Sequence, residues 1–238
     1  MDKQTADKLQ IQNRQNYDSF AEAFSATRGY VHLETKNLIG DYAKAGDKIL
    51  DIGCGNGRLY SFFKDRGADY SGIDNSTELI KIAACKNPDA SFAIGDALFL
   101  PFDDGVFDLA VSLAVLHHIP SEICRQKFFK EAFRILRRGG RLIVLVWDLR
   151  LATMIEAKQW KRLKSFAKTQ VRIALGLEKL DFGDFFIPWQ NEYQRYHHAF
   201  SLGEMEKLAQ AAGFEIEKAG ILQSGGRENN LYIIAQKA

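Results

Sequence analysis

The stretch Ile49-Leu50-Asp51-Ile52-Gly53-Cys54-Gly55-Asn56-Gly57 constrains this 238-residue chain more than any other. An apolar run ends in three glycines at alternate positions, and an amphipathic segment from Gly57 to Asp65 follows. Glycine lets the backbone turn sharply and approach a ligand closely, because no Cβ intrudes. The pattern predicts a strand whose carboxyl end turns straight into a helix, with a ligand at the turn.

The rest of the chain extends that unit. Strand-like runs at 70–73, 91–94, 107–113 and 141–147 alternate with helical segments at 76–85 and 121–136. Such spacing implies βαβ crossovers and a mainly parallel sheet covered on both faces, with ligands at the carboxyl ends of its strands. Residues 1–45 read as a helical cap carrying the stripe Tyr17, Phe20, Ala21, Phe24 and a break at Gly29. Residues 46–148 form the ligand-binding core. Residues 149–200 break the alternation and read as an insertion over the ligand edge, with a basic amphipathic helix and then a loop at 181–186. Residues 201–238 return as a helix, with Ser201 and Glu204 as a capping box, and a final pair of strands.

Bulk properties bound the partners. With 46% hydrophobic and 26% charged residues the chain suits one domain, and net charge +2 makes no global case for nucleic acid. Locally, Lys158, Lys161, Arg162, Lys164, Lys168 and Arg172 occur with no acid among them, which suits a solvated face or RNA phosphates. No apolar run nears the ~20 residues that span a bilayer, and the polar start lacks a signal peptide's apolar core, so no membrane partner and a cytoplasmic location are expected. Cys54, Cys85 and Cys124 are too scattered for a disulfide framework or a cysteine zinc site. Four of the five histidines come as doublets, His117-His118 and His197-His198. Without cysteine partners they lack usual ligand spacing, so no metal is expected.

The glycine motif alone fits several nucleotides. Asp74 follows Gly53 by about twenty residues, where a carboxylate accepts from both hydroxyls of a ribose. Two features point away from a dinucleotide: the pattern is GxGxG, and Asp51 precedes it where it would repel a pyrophosphate but suit an ammonium group. The combination favours S-adenosylmethionine. Asp96 and Ala97, after the third strand, can present a carboxylate and backbone amides to an adenine edge.

The stretches ILDIGCGNG, SGID, GDALFLPFDDGVFDLAVSLAVLHHIP and EAFRILRRGGRLIVLVW resemble the motifs of the class I S-adenosylmethionine-dependent methyltransferases, in order. The resemblance implies an α/β, Rossmann-like, seven-stranded, mainly parallel sheet with a reversed last hairpin. It implies that Asp51, Gly53, Cys54, Gly55, Asn56, Asp74, Asn75, Asp96, Ala97 and the segment Ser112, Leu113 to Leu116 bind the cofactor, with Tyr17 and His117 beside it.

The flanks YDSFAEAFSATRGY, SLAVLHHIPS, PWQNEYQRYHHAFSLGEMEKL and ENNLYIIAQK look like the tRNA wobble-uridine carboxymethyl methyltransferases. That resemblance implies esterification of the carboxylate of 5-carboxymethyluridine in a tRNA anticodon loop, and a possible small activator subunit. Such a carboxylate, with a pKa near 4, is already ionised and needs no general base. It needs cations and donors that orient one oxygen while the other attacks. Arg28, Arg195, Tyr196, His197 and His117 meet that need, with one histidine of each doublet facing the site. Fold does not fix substrate. A small-molecule carboxyl- or O-methyltransferase is therefore the alternative, and a non-catalytic binding or adaptor protein a third reading, which the intact glycine and acidic set opposes.

Overall fold

Seven strands form one sheet in the order β3-β2-β1-β4-β5-β9-β8. The structure, a computed structural model, describes residues 1–190, 192–223 and 229–238. Asn191 and Glu228, which fall in stretches quoted above, lie outside the described residues. The strands are β1 (Lys48–Ile52), β2 (Asp69–Asp74), β3 (Ser91–Ile94), β4 (Phe107–Leu113), β5 (Leu136–Trp147), β8 (Phe214–Gln223) and β9 (Asn229–Lys237). The first five pair in parallel, while β9 runs antiparallel to both β5 and β8. This is the seven-stranded, mainly parallel sheet with a reversed last hairpin that the motifs imply.

Side-chain alternation distributes each central strand between two cores. Leu142, Val144 and Val146 pack with Phe128, Phe129 and Met205 on one face, whereas Ile143 and Leu145 pack with Ile39 and Phe63 on the other. Both faces are covered by helices: α3 (Leu33–Gly40), α4 (Tyr60–Lys64), α5 (Thr77–Lys86), α6 (Glu122–Ile135) and α9 (Leu202–Ala211). Among the described residues no helix is long and apolar enough to cross a membrane.

The strand expected at 141–147 begins earlier, at Leu136. Pairing shifts between Phe107↔Leu136 and Leu109↔Arg141, and Gly139, at φ 77°, takes up the extra residues in the left-handed region.

The N-terminal cap is α1 (Lys3–Ser19), α2 (Ala21–Thr27) and then α3. Residues 149–200 hold α7 (Leu151–Glu156), α8 (Trp160–Ala174) and a hairpin of β6 (Asp184–Trp189) and β7 (Tyr193–His198). The segment expected as a loop therefore contributes a strand. Its far partner is α1: Asn13 Nδ2 donates to the His118 carbonyl (3.0 Å), Asn13 Oδ1 accepts from Tyr196 N (3.2 Å), and Asn16 Nδ2 donates to the Gln194 carbonyl (2.9 Å). The Phe20 ring stacks on Trp189 at 5.2 Å, closing cap and hairpin together over the sheet edge.

The capping box at α9 is half made. Ser201 Oγ accepts from Glu204 N (3.2 Å), but the Glu204 carboxylate turns to His198 Nε2 (2.9 Å) instead of returning to the cap. A charge-assisted bond to a buried ring outcompetes a neutral backbone N–H.

Candidate active site

A large cavity opens at the carboxyl ends of β1, β2 and β4, under α1 and α2. The loop after β1 forms its floor: Gly53, Gly55 and Gly57 have φ of 76°, 56° and 74°. A Cβ at Gly53 would lie 2.2 Å from Val115 Cγ2, and the Gly53 and Cys54 amides both donate to the Ile73 carbonyl (2.7 and 2.9 Å). The loop is thus pinned to the end of β2 in a shape that side chains would not allow.

Asp51, at the end of β1, is 2% exposed and accepts from the Tyr70 hydroxyl at 2.8 Å. Burial pushes its pKa up to about 7, against the opposing effects of that hydrogen bond and of Arg58. Asp74, at the end of β2, takes the Gly55 amide on Oδ2 and the Ser76 amide on Oδ1, each at 2.9 Å. Burial raises its pKa too. Each carboxylate keeps lone pairs beyond those used. Asp96 lines the cavity and also closes its own turn, with Oδ1 accepting from Leu98 N at 2.9 Å.

Of the residues expected to hold the cofactor, Tyr17, Asp51, Gly53, Cys54, Gly55, Asn56, Asp74, Asn75, Asp96, Ala97 and Leu113 line this cavity. Asn56 also ties the cap to the loop, donating to Ser25 Oγ (3.0 Å) and the Arg28 carbonyl (3.2 Å). Ala114 and Val115 of the expected segment line it as well, whereas three expected residues, Ser112, Leu116 and His117, stand elsewhere. Ser112 is fully buried within β4 and off the cavity wall, because alternation turns it away from the side Leu113 faces. His117 is also off the wall, and His118 takes its place. The reason is local: residues Leu116–His118 form a 3₁₀ turn, not an extended segment, so the two rings lie together, 4.4 Å apart, instead of on opposite faces. Sequence reasoning also missed Arg58, whose signal is only its position just after the glycine loop.

The expected acceptor-side residues divide along β7. Arg195 and His197 share one face and Tyr196 and His198 the other, as alternation requires. The Arg195 guanidinium is 3% exposed and lies over Trp147 (5.7 Å) and Trp189 (5.0 Å). The His197 ring stacks on Trp147 at 5.5 Å, and Trp147 lines the cavity, so this group stands directly behind the wall. Tyr17 bridges the two zones: its hydroxyl bonds His118 Nε2 at 2.9 Å, and both Arg195 and Arg28 act on it electrostatically. Arg28 is the C-cap of α2 and is among the residues that line the cavity.

Tyr196 does not belong to this group. Its hydroxyl donates to Asp184 Oδ1 at 2.6 Å and faces Arg125, on the side away from Arg195. His198 joins it there, donating from Nδ1 to Asp184 (2.7 Å) and from Nε2 to Glu204 (2.9 Å). The exclusion of a metal on spacing also meets a contrary finding: the fold gathers His117, His118 and His197, with one ligand nitrogen from each within 4.8 Å of the others.

The cavity fits S-adenosylmethionine: a floor that only glycine can make, a buried carboxylate at Asp51 for an ammonium group, and Asp74 for ribose hydroxyls. When bound, that molecule supplies a methyl group on a sulfonium. Comparison with known proteins agrees. A methyltransferase domain model matches residues 50–144. A tRNA (carboxymethyluridine(34)-5-O)-methyltransferase of Schizosaccharomyces pombe is 29% identical, over 94% of this chain and 95% of its own. A SAM-dependent methyltransferase structure from Methanosarcina mazei superposes with TM-score 0.71 at 26% identity, over 84% of this chain and 96% of that one. A Haloferax volcanii methyltransferase solved in complex with the Trm112 activator shares the fold, with TM-score 0.67 at 18% identity, over 94% and 97% of the two chains. Sheet order, glycine cradle and these likenesses converge: the chain is a class I S-adenosylmethionine-dependent methyltransferase that resembles the tRNA carboxymethyluridine methyltransferases.

Proposed function

We propose that the acceptor is the carboxylate of 5-carboxymethyluridine at the tRNA wobble position. The observation that carries this reading is Arg195. Its guanidinium is buried, Nε and Nη1 have no protein hydrogen-bond partner, and no carboxylate pairs with it among the described residues. A buried cation without a carboxylate partner is costly unless an anion joins it, and a guanidinium is shaped for a carboxylate. In this reading Arg195 and Arg28 hold one acceptor oxygen and leave the other facing the methyl donor. The histidines act as neutral groups: burial pushes the pKa of His118 down to about 3 and those of His117 and His197 well below the usual range. An ionised carboxylate needs no base, so the residues contribute position and exclusion of water.

The basic helix α8 supports an RNA acceptor. Lys161, Lys164 and Lys168 are exposed, and Trp160 beside them is 55% exposed. Arg162 is not part of that face, since its guanidinium turns inward over Trp147 at 5.4 Å. Reversing Lys161, Lys164 and Lys168 to Glu is expected to abolish tRNA binding in a gel-shift or anisotropy titration while donor affinity stays unchanged. In the unaltered protein, binding should weaken steeply with salt, through release of counterions from phosphate. No binding of tRNA by the unaltered protein at low salt would refute the RNA reading.

Donor binding carries its own pH signature. An ammonium group is held by the Asp51 carboxylate, which carries a proton below about pH 7 in the free protein. Below that point binding must expel the proton, so affinity is expected to fall about tenfold per pH unit on acidification and to be flat above it. Calorimetry across this range checks it, with Asp51→Asn expected to bind weakly and without the pH dependence.

A further inference from the structure

The 3₁₀ turn and β7 bring three imidazoles together beside the donor cavity, and the mechanism above uses them only as neutral donors. The rings of His117 and His197 lie parallel, 5.3 Å apart, and the His118 ring is 4.4 and 4.5 Å from them. Hydrogen bonds fix two tautomers. His118 Nδ1–H donates to the Tyr196 carbonyl (2.9 Å), and His197 Nδ1–H donates to the Arg195 carbonyl (3.0 Å). The Nε2 lone pairs of both rings are thereby left for another partner. His118 Nε2 meets the Tyr17 hydroxyl, whereas His197 Nε2 and both nitrogens of His117 are buried with no protein partner among the described residues. A ring that donates one N–H to a backbone carbonyl and aims its other nitrogen inward has the usual second-shell arrangement of a metal-binding histidine.

We propose that His117, His118 and His197 form a binding site for one divalent transition-metal ion of the zinc, cobalt and nickel class. All-imidazole donation suits these ions and not magnesium or calcium, which take oxygen. Burial keeps all three rings unprotonated at neutral pH, so no proton competes for them. Metal–nitrogen distances of about 2.0–2.1 Å require nitrogens about 3.3 Å apart, so the present spread of up to 4.8 Å closes by about 1.5 Å as the rings rotate inward. The Tyr17 hydroxyl must release His118 Nε2 in that step. Three neutral ligands beside the Arg195 cation leave the ion's charge uncompensated, so the fourth position calls for water or an anion, and affinity falls short of a closed four-ligand zinc site.

The test is titration of the untagged, chelator-stripped full chain with cobalt(II), followed by visible ligand-field absorption and metal analysis after dialysis. The expected result is one saturable cobalt per chain, displaced by zinc(II). His117→Gln and His197→Gln are each expected to weaken binding by at least about tenfold, whereas His32→Gln, the one histidine outside both doublets, leaves it unchanged. Absence of saturable binding by the intact chain, or binding that persists unaltered in the His117→Gln/His197→Gln double variant, would overturn the site. Neither outcome depends on the identity of the methyl acceptor.

Discussion

Replacing Arg195 by alanine is expected to cut acceptor turnover by about 10²-fold, the loss typical of letting a reacting group shift by about 1 Å from its productive position. Donor affinity should hold within a factor of about two, because Arg195 is not among the residues that line the cavity and acts on it through Tyr17. Arg195 also packs between Trp147 and Trp189, so a purely structural role is a real rival. The two differ in readout: loosened packing would weaken donor binding and thermal stability together, whereas loss of the clamp falls on acceptor kinetics alone. Arg195→Lys keeps the charge but not the planar fork, and is expected to recover only part of the activity. Full turnover in Arg195→Ala would remove the clamp.

The second large effect is on stability. Asp184 is fully buried, and its carboxylate accepts from the Tyr196 hydroxyl (2.6 Å), His198 Nδ1 (2.7 Å) and the Asp181 amide (2.8 Å). Glu204 takes the other nitrogen of His198, so this one ring ties the hairpin to α9. Where His198 is protonated, Asp184→Ala leaves a buried imidazolium and phenol short of partners, and is expected to cost about 3–5 kcal/mol. For a chain of this size that lowers the melting temperature by about 6–20 °C. Burial alone would lower the His198 pKa, but hydrogen bonds to Asp184 and Glu204 outweigh it and raise the value above the ordinary 6.5. A raised folded value means that the protonated ring's contribution is complete below about pH 6.5 and is lost as pH rises through the folded value. The stability gap between the parent and Asp184→Ala should therefore narrow on the alkaline side. A thermal melt series over pH that shows an equal gap throughout would contradict the bridge.

These two sites show what sequence pattern reaches and where it stops. The cofactor floor is legible because its constraints are local: Gly53 sits at φ 76° with Val115 against it, and strand, turn and helix follow within a dozen residues. The β6–β7 hairpin is not legible in that way. Asp181-Phe182-Gly183-Asp184 has turn composition, Pro188 argues against a central strand, and the groups that hold β7 come from Asn13 and Asn16, some 180 residues away in sequence. His118 displaces His117 at the cavity because a three-residue 3₁₀ turn leaves no periodicity to read. Tyr196 is a different case. Alternation along the segment 193–198 separates it from Arg195 and His197, so the signal was present in the residues themselves.

The claim that joins these parts is the acceptor. Incubation of the chain with labelled S-adenosylmethionine and tRNA carrying 5-carboxymethyluridine, followed by nucleoside analysis, tests it most directly. The assay has two arms, with and without an activator of the Trm112 kind, because one structural neighbour was solved bound to one. The account predicts label in the methyl ester of that nucleoside in at least one arm, and none with tRNA that lacks the carboxymethyl group. Label confined to small carboxylic acids, or absent from the modified nucleoside in both arms, would contradict it.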